Sequence, residues 1–194
     1  PVEYDKSADF TAWHNWLAGA VGSEETARYL QRAIGYSLTG DTREECLFYL
    51  HGKPRAGKGT FTETILAMLG GTLGRTINFE SLTAKRYGND QNFDLAPLRA
   101  CRFITAGESD KRNPLNPAKI KRITGGDEIS CSFKGRDHFT YRPMYKIWLA
   151  SNWRVNTDVD DDAAWGRVKV IEFVQSHLDK PDTTLKHRMK QPKN

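Results

Sequence analysis

Gly52-Lys53-Pro54-Arg55-Ala56-Gly57-Lys58-Gly59-Thr60 sets two glycines, a lysine and a hydroxyl at the spacing of a phosphate-binding loop. The glycines let the backbone turn so that successive N–H groups converge on an anion, and Lys58 adds a mobile cation for the outer phosphates. The apolar run Cys46-Leu47-Phe48-Tyr49-Leu50 precedes the loop, and residues of helical spacing follow it. That is the setting of strand, loop and helix that such a loop requires, and it predicts a nucleoside triphosphate ligand. The position after the lysine, where Ser or Thr usually holds Mg²⁺, is Gly59, which leaves Thr60 as the nearest hydroxyl and the candidate metal ligand.

Two further strand ends carry candidate chemistry. Residues 102–106 read as a strand followed by Gly107-Glu108-Ser109-Asp110, and carboxylates just beyond a strand tip lie where open α/β sheets bind ligands. Glu108 is the candidate to orient and deprotonate an attacking water and to sit at a metal, with Asp110 the weaker partner. Residues 145–150 form another predicted strand, ending at Ser151-Asn152, where Asn152 can hold a γ-phosphate or the water by hydrogen bonds. Asparagine is also common at strand ends because it tolerates turns.

Residues 129–133 and 138–143 alternate apolar and polar side chains around Lys134-Gly135-Arg136-Asp137, which predicts a β-hairpin with a basic tip. Lys134, Arg136 and His138 would then be presented together, able to grip a phosphate backbone or merely to discourage edge pairing. Residues 167–173 read as a fourth strand. The acidic run Asp158-Val159-Asp160-Asp161-Asp162 before it suits a helix start or solvated surface better than a metal site.

The elements that position these groups change character once, near Gly40. Phe10, Trp13, Trp16, Leu17 and Val21 recur at helical spacing, the tryptophans reading as core, and Ser23 can cap a second helix opening with Glu24 and Glu25. Three units result: a helical segment over 1–40, a nucleotide-binding core over 41–176 and a basic tail or linker over 177–194. At 194 residues the chain can bury one sizeable core plus an appendage. The net charge of +5 fits a polyanionic partner without establishing one. No apolar run approaches the roughly 20 residues of a membrane span, which predicts a soluble protein of the cytoplasm, the host's if the source is viral. Cys46, Cys101 and Cys131 lack paired spacing and read as buried reduced thiols. The start at Pro1 and the polar, basic end suggest a piece of something longer.

Taken in order, these blocks resemble the superfamily 3 helicases, most closely the primase-helicase group of phages and plasmids of phage P4 type. The resemblance runs from Gly35-Tyr36-Ser37-Leu38-Thr39-Gly40-Asp41 through the phosphate loop, Glu108, Ile120-Lys121-Arg122-Ile123-Thr124-Gly125-Gly126-Asp127, the hairpin, Ser151-Asn152 and Trp165-Gly166-Arg167. It implies an α/β fold, an AAA+ ATPase core whose mostly parallel central sheet is flanked by helices. It also implies a homo-oligomeric ring, usually a hexamer, with ATP and Mg²⁺ between subunits and single-stranded DNA in the channel. In such rings Lys58 holds the β- and γ-phosphates, Glu108 takes the Walker B position and Asn152 is sensor 1. Arg167 matches the arginine that reaches a neighbour's ATP, and Lys134 the hairpin lysine that contacts DNA. The implied activity is ATP-dependent translocation on single-stranded DNA in replication of a phage, plasmid or related element, with a primase region in the same or another chain. The sequence departs from the pattern at Gly59, at Gly107, where many AAA+ proteins have an Asp, and at Gly166, often a second Arg. A nucleoside monophosphate kinase-like phosphotransferase and a non-catalytic ring organised on DNA by ATP are the rival readings. The helical segment before Gly52 argues against the first, and stimulation of ATP turnover by single-stranded DNA discriminates against the second.

Overall fold

The computed structural model describes residues 5–82, 95–107, 115–154 and 161–191. Helix α1 (Thr11–Val21) ends at Gly22 in the left-handed region, and α2 (Glu24–Thr39) starts behind Ser23, whose hydroxyl accepts the Thr26 amide at 3.2 Å. That bond satisfies one of the orphan donors at a helix start, and Glu24 and Glu25 complement the positive end of the dipole.

Five strands follow: β1 (Leu47–His51), β2 (Gly74–Thr76), β3 (Phe103–Gly107), and, after a hairpin, β6 (Lys146–Ser151) and β7 (Val168–Glu172). They form one fully parallel sheet in the order β2-β3-β6-β1-β7. The four longer strands follow the sequence expectation to within a residue or two, whereas β2 is too short to show a period. Helix α3 (Lys58–Leu73) leaves the loop after β1 and breaks at Gly70, which adopts φ 66° and ψ 175°.

Leu47 and Tyr49 of β1 point to one side of the sheet and Phe48 and Leu50 to the other, as period-two alternation requires. The Phe48 face packs under α1, α2 and α3. Leu17, Leu30, Phe61 and Trp148 are buried there, Trp148 stacking on Phe48 with ring centroids 4.1 Å apart and donating its indole N–H to Ser37 Oγ at 3.1 Å. The first two helices therefore share the core of the sheet. The Tyr49 face packs against α4 (Pro117–Thr124) through Ile120 and Ile123, and against the hairpin β4 (Ile129–Ser132) and β5 (His138–Tyr141) through Ile129. Short helix α5 (Asp162–Trp165) precedes β7, and α6 (Leu185–Arg188) lies near the end. Asp161 caps α5 by accepting the Ala164 amide at 3.0 Å, the helix-start role anticipated for the acidic run. The three cysteines are buried and free. Among the described residues no helix is long and apolar enough to cross a membrane.

Candidate functional site

The parallel sheet brings the loop after β1 beside the tip of β6, because His51 and Ser151 are register partners. Lys58 lies at the start of α3 with only 7% of its surface exposed. Its ammonium donates to Gly52 O at 2.6 Å, Lys53 O at 2.9 Å and Asn152 Oδ1 at 3.0 Å. Burial pushes this amine below its usual pKa, and those three oxygens are its compensation. Lys58 and Asn152, which are 94 positions apart in sequence, thus meet at adjacent strand ends.

Glycine is required at two points of the loop. Gly52 has φ 152°, and a Cβ there would lie 2.3 Å from the Phe173 carbonyl oxygen. Gly57 has φ 99° and lies against the Trp16 indole, 3.1 Å from where its Cβ would be. Arg55 adopts φ 62°, an unusual backbone state for a residue with a side chain. Gly57 caps α3 without a side-chain bond, and its carbonyl accepts the Phe61 amide at 2.9 Å. The amides of Lys58, Gly59 and Thr60 have no acceptor within the helix and converge at the positive end of its dipole. This donor set fits a polyphosphate.

The loop opens into a cleft of about 700 Å³. Asn15, Trp16 and Gly19 of α1 form one wall, and Gly59, Thr60 and Asn152 line it near the loop. The chain beyond β7 supplies another wall. Phe173 N donates to His51 O at 2.8 Å, Ser176 Oγ to Pro54 O at 2.7 Å and His177 N to Arg55 O at 3.3 Å. The same chain then turns through Asp182, which accepts the Thr184 and Leu185 amides, into α6. Lys186 and Lys190 both pair with Glu63 of α3, the second at 2.5 Å. Burial alone would raise the Glu63 carboxyl, but the hydrogen bonds from these lysines hold it below the usual range.

Glu108 and Asp110 follow the last residue of β3 and lie outside the described residues. Thr60 lines the cleft beside Gly59. Among the described residues no three His, Cys, Asp or Glu side chains gather as a metal cluster. Lys134, Arg136 and His138 are exposed around the tip of the β4–β5 hairpin, whose turn uses Gly135 at φ 75°. Phe133 stacks on Phe139 behind the tip at 5.7 Å, and Arg99 covers Phe139 at 5.8 Å. Arg167 immediately precedes β7, whereas the loop follows β1, which runs parallel to it. A five-residue strand separates them by roughly 16 Å. The Arg167 guanidinium pairs with Glu45 at 2.6 Å and donates to Lys121 O at 2.9 Å and Thr124 Oγ1 at 3.2 Å.

A family profile described as "Family of unknown function (DUF5906)" matches residues 50–167. The chain belongs to this family. A protein of Acanthamoeba polyphaga mimivirus with a provisional helicase name is 29% identical over 199 residues, covering 100% of this chain and 20% of that protein. A similarly named protein of Invertebrate iridescent virus 3 is 24% identical over 193 residues, again covering 20% of its own length. The chain thus spans about a fifth of the curated relatives it matches. Among solved structures, the NrS-1 C-terminal region superposes with TM-score 0.64 at 15% identity, over 91% of this chain and 41% of that one. JCV helicase gives 0.55 at 14% identity, over 93% and 50%. These likenesses support the fold: an α/β core with a parallel central sheet between helices.

In this DUF5906 chain the matched residues hold the loop, the hairpin, Asn152 and Arg167, while two walls of the cleft lie outside them. Trp16 packs partly on the core and also lines the cleft, a second role that helical periodicity does not reveal. Residues 175–186 gave no sequence sign of lying beside the loop. They fall in the stretch read as a basic tail or linker, and composition does not say where a segment folds.

Proposed function

We propose that this DUF5906 chain is the ATP-hydrolysing core of a DNA helicase that translocates on single-stranded DNA, working as a ring, usually of six subunits. The observation that carries the reading is the Lys58 ammonium, which joins the loop carbonyls to Asn152 at the neighbouring strand tip. Helicase-named viral relatives and a helicase fold neighbour support the same class. The superfamily 3 assignment, and within it the phage P4 type, rests on the order of motifs from Gly35 to Arg167.

In this reading the α3 amides and Lys58 bind the phosphates, and Asn152 orients the terminal phosphate or the water that attacks it. Glu108 takes the proton of that water. Thr60 and Glu108 would hold Mg²⁺, which when bound offsets the charge of the phosphate oxygens. Arg167 is too far from its own loop, so it serves a neighbouring subunit's site as a cation on the developing charge. Lys134, Arg136 and His138 carry backbone phosphates, making DNA binding sequence-independent and salt-sensitive. A primase region, in the same or another chain, fits the group this order of motifs resembles.

The test is steady-state ATP turnover with and without single-stranded DNA, beside Lys58→Ala. Turnover should rise with DNA and vanish in the variant. Turnover that ignores both DNA and the loss of Lys58 would overturn the proposal.

A further inference from the structure

Beyond β7 the chain is a strap fastened to the phosphate loop itself: the Pro54 and Arg55 carbonyls are its anchors. The strap ends in α6, whose Lys186 reaches the first turns of α3. The Lys186 Nζ lies 3.6 Å, and the Glu63 carboxylate 3.9 Å, from the point a Gly59 side chain would occupy. A Cβ at Gly59 would thus meet this lysine in ordinary van der Waals contact, which places the ammonium directly beside the first turn of α3.

We infer that Lys186 is a second phosphate-binding cation supplied within the same chain, held on Glu63 until a nucleoside triphosphate draws it over; this rests on the nucleotide-binding reading of the loop. Three features support it. The loop residue Lys58 is committed to three oxygens deep in the fold, whereas the Lys186 side chain is 47% exposed and can turn without unpacking the core. Glu63 carries two lysines on one carboxylate, so when Lys186 leaves, Lys190 remains as its partner and no charge is stranded. Exposed ion pairs of this kind are weak, and a triphosphate is a stronger competitor because it offers several charges and acceptor oxygens at once. The strap thereby couples the occupant of the loop to the position of α6.

The inference is tested by calorimetric affinities for ADP, a non-hydrolysable ATP analogue and inorganic tripolyphosphate, on wild type, Lys186→Ala, Lys186→Arg, Lys190→Ala and Lys58→Ala. Thermal unfolding checks that each variant folds. Lys186→Ala should weaken the triphosphate analogue and tripolyphosphate about tenfold and ADP less than about threefold. Lys186→Arg should restore most of the loss, and Lys190→Ala, which leaves Glu63 without a partner once Lys186 moves, should weaken triphosphate binding, though less than Lys186→Ala does. An unchanged ratio of ADP to triphosphate affinity in Lys186→Ala, whether both stay or both weaken equally, would overturn the inference, the second case making the strap merely structural. Lys58→Ala separates the two levels: if it loses triphosphate binding while the Lys186→Ala ratio is unchanged, the loop reading stands without the strap. Wild-type triphosphate affinity in Lys58→Ala would remove the loop reading and the inference with it.

Discussion

Replacing Lys146 by Met should stabilise the protein at neutral pH, and the gain should shrink as pH rises. Lys146 opens β6, is 2% exposed, and its amine has no hydrogen-bond partner among the described residues. The nearest compensation is the Tyr36 ring, 4.3 Å from the ammonium to the ring centroid. Burial lowers the amine's pKa from 10.5 to about 8, against the opposing pull of Asp41. A lowered lysine pKa means that the unfolded chain binds more protons than the folded one between about pH 8 and 10.5. Stability gained from this group therefore rises with pH across that window, and its penalty is complete below pH 8. The drop from 10.5 to about 8 sets an upper bound of roughly 3–4 kcal/mol on the cost of the charge. Methionine keeps the apolar stem and forfeits the ring contact, worth about 1 kcal/mol, so the expected net gain at pH 7 is about 1–2 kcal/mol. Urea unfolding at pH 7 and pH 10, comparing the variant with wild type at each, reads the difference directly. A gap of the same size at both pH values, or a variant less stable at pH 7, would refute the reasoning.

Glu108→Gln should keep nucleotide affinity while slowing hydrolysis at least ~100-fold, as expected for losing a positioned general base. Equal loss of affinity in a binding titration would assign this carboxylate to the metal instead. Lys134→Ala should weaken single-stranded DNA binding and lower the salt slope by about 0.7, the share of one phosphate contact, with DNA-independent ATP turnover intact. A wild-type slope would make edge protection the better account of that lysine. Mixing Arg167→Ala with Lys58→Ala protein should restore part of the ATP turnover that each lacks, because one kind of mixed interface pairs an intact loop with an intact arginine. No recovery in assembled mixed rings would remove the trans role.

What was legible in the sequence was whatever local chemistry dictates. Ser23 before a periodic run predicts a cap because its hydroxyl satisfies a nearby amide, and the structure places it on Thr26. The loop was readable because its glycines answer to backbone geometry, as Gly52 against the Phe173 carbonyl makes plain. The meeting of Lys58 with Asn152 was legible only through the assumption that both follow strands of one parallel sheet. β2 was not readable, since three residues cannot express a period of two. Nor was the course of residues 175–190, which is fixed by contacts with distant parts of the chain: Ser176 with Pro54, Lys186 and Lys190 with Glu63.

The topology also explains why one chain gives only part of the proposed chemistry. In a parallel sheet every strand presents its C-terminal end to the same edge, so the loop after β1 and Asn152 after β6 meet without further design. Arg167 enters β7 from the opposite edge, pinned by Glu45 and the end of α4 through Lys121 O and Thr124. No side-chain rotation carries a guanidinium across a strand of roughly 16 Å. If Arg167 serves the reaction, a second copy must bring its own opposite edge to this loop. The contacts with Glu45, Lys121 O and Thr124 hold the guanidinium against the end of α4, so such a neighbour would have to bring its loop to this place on the sheet's opposite edge.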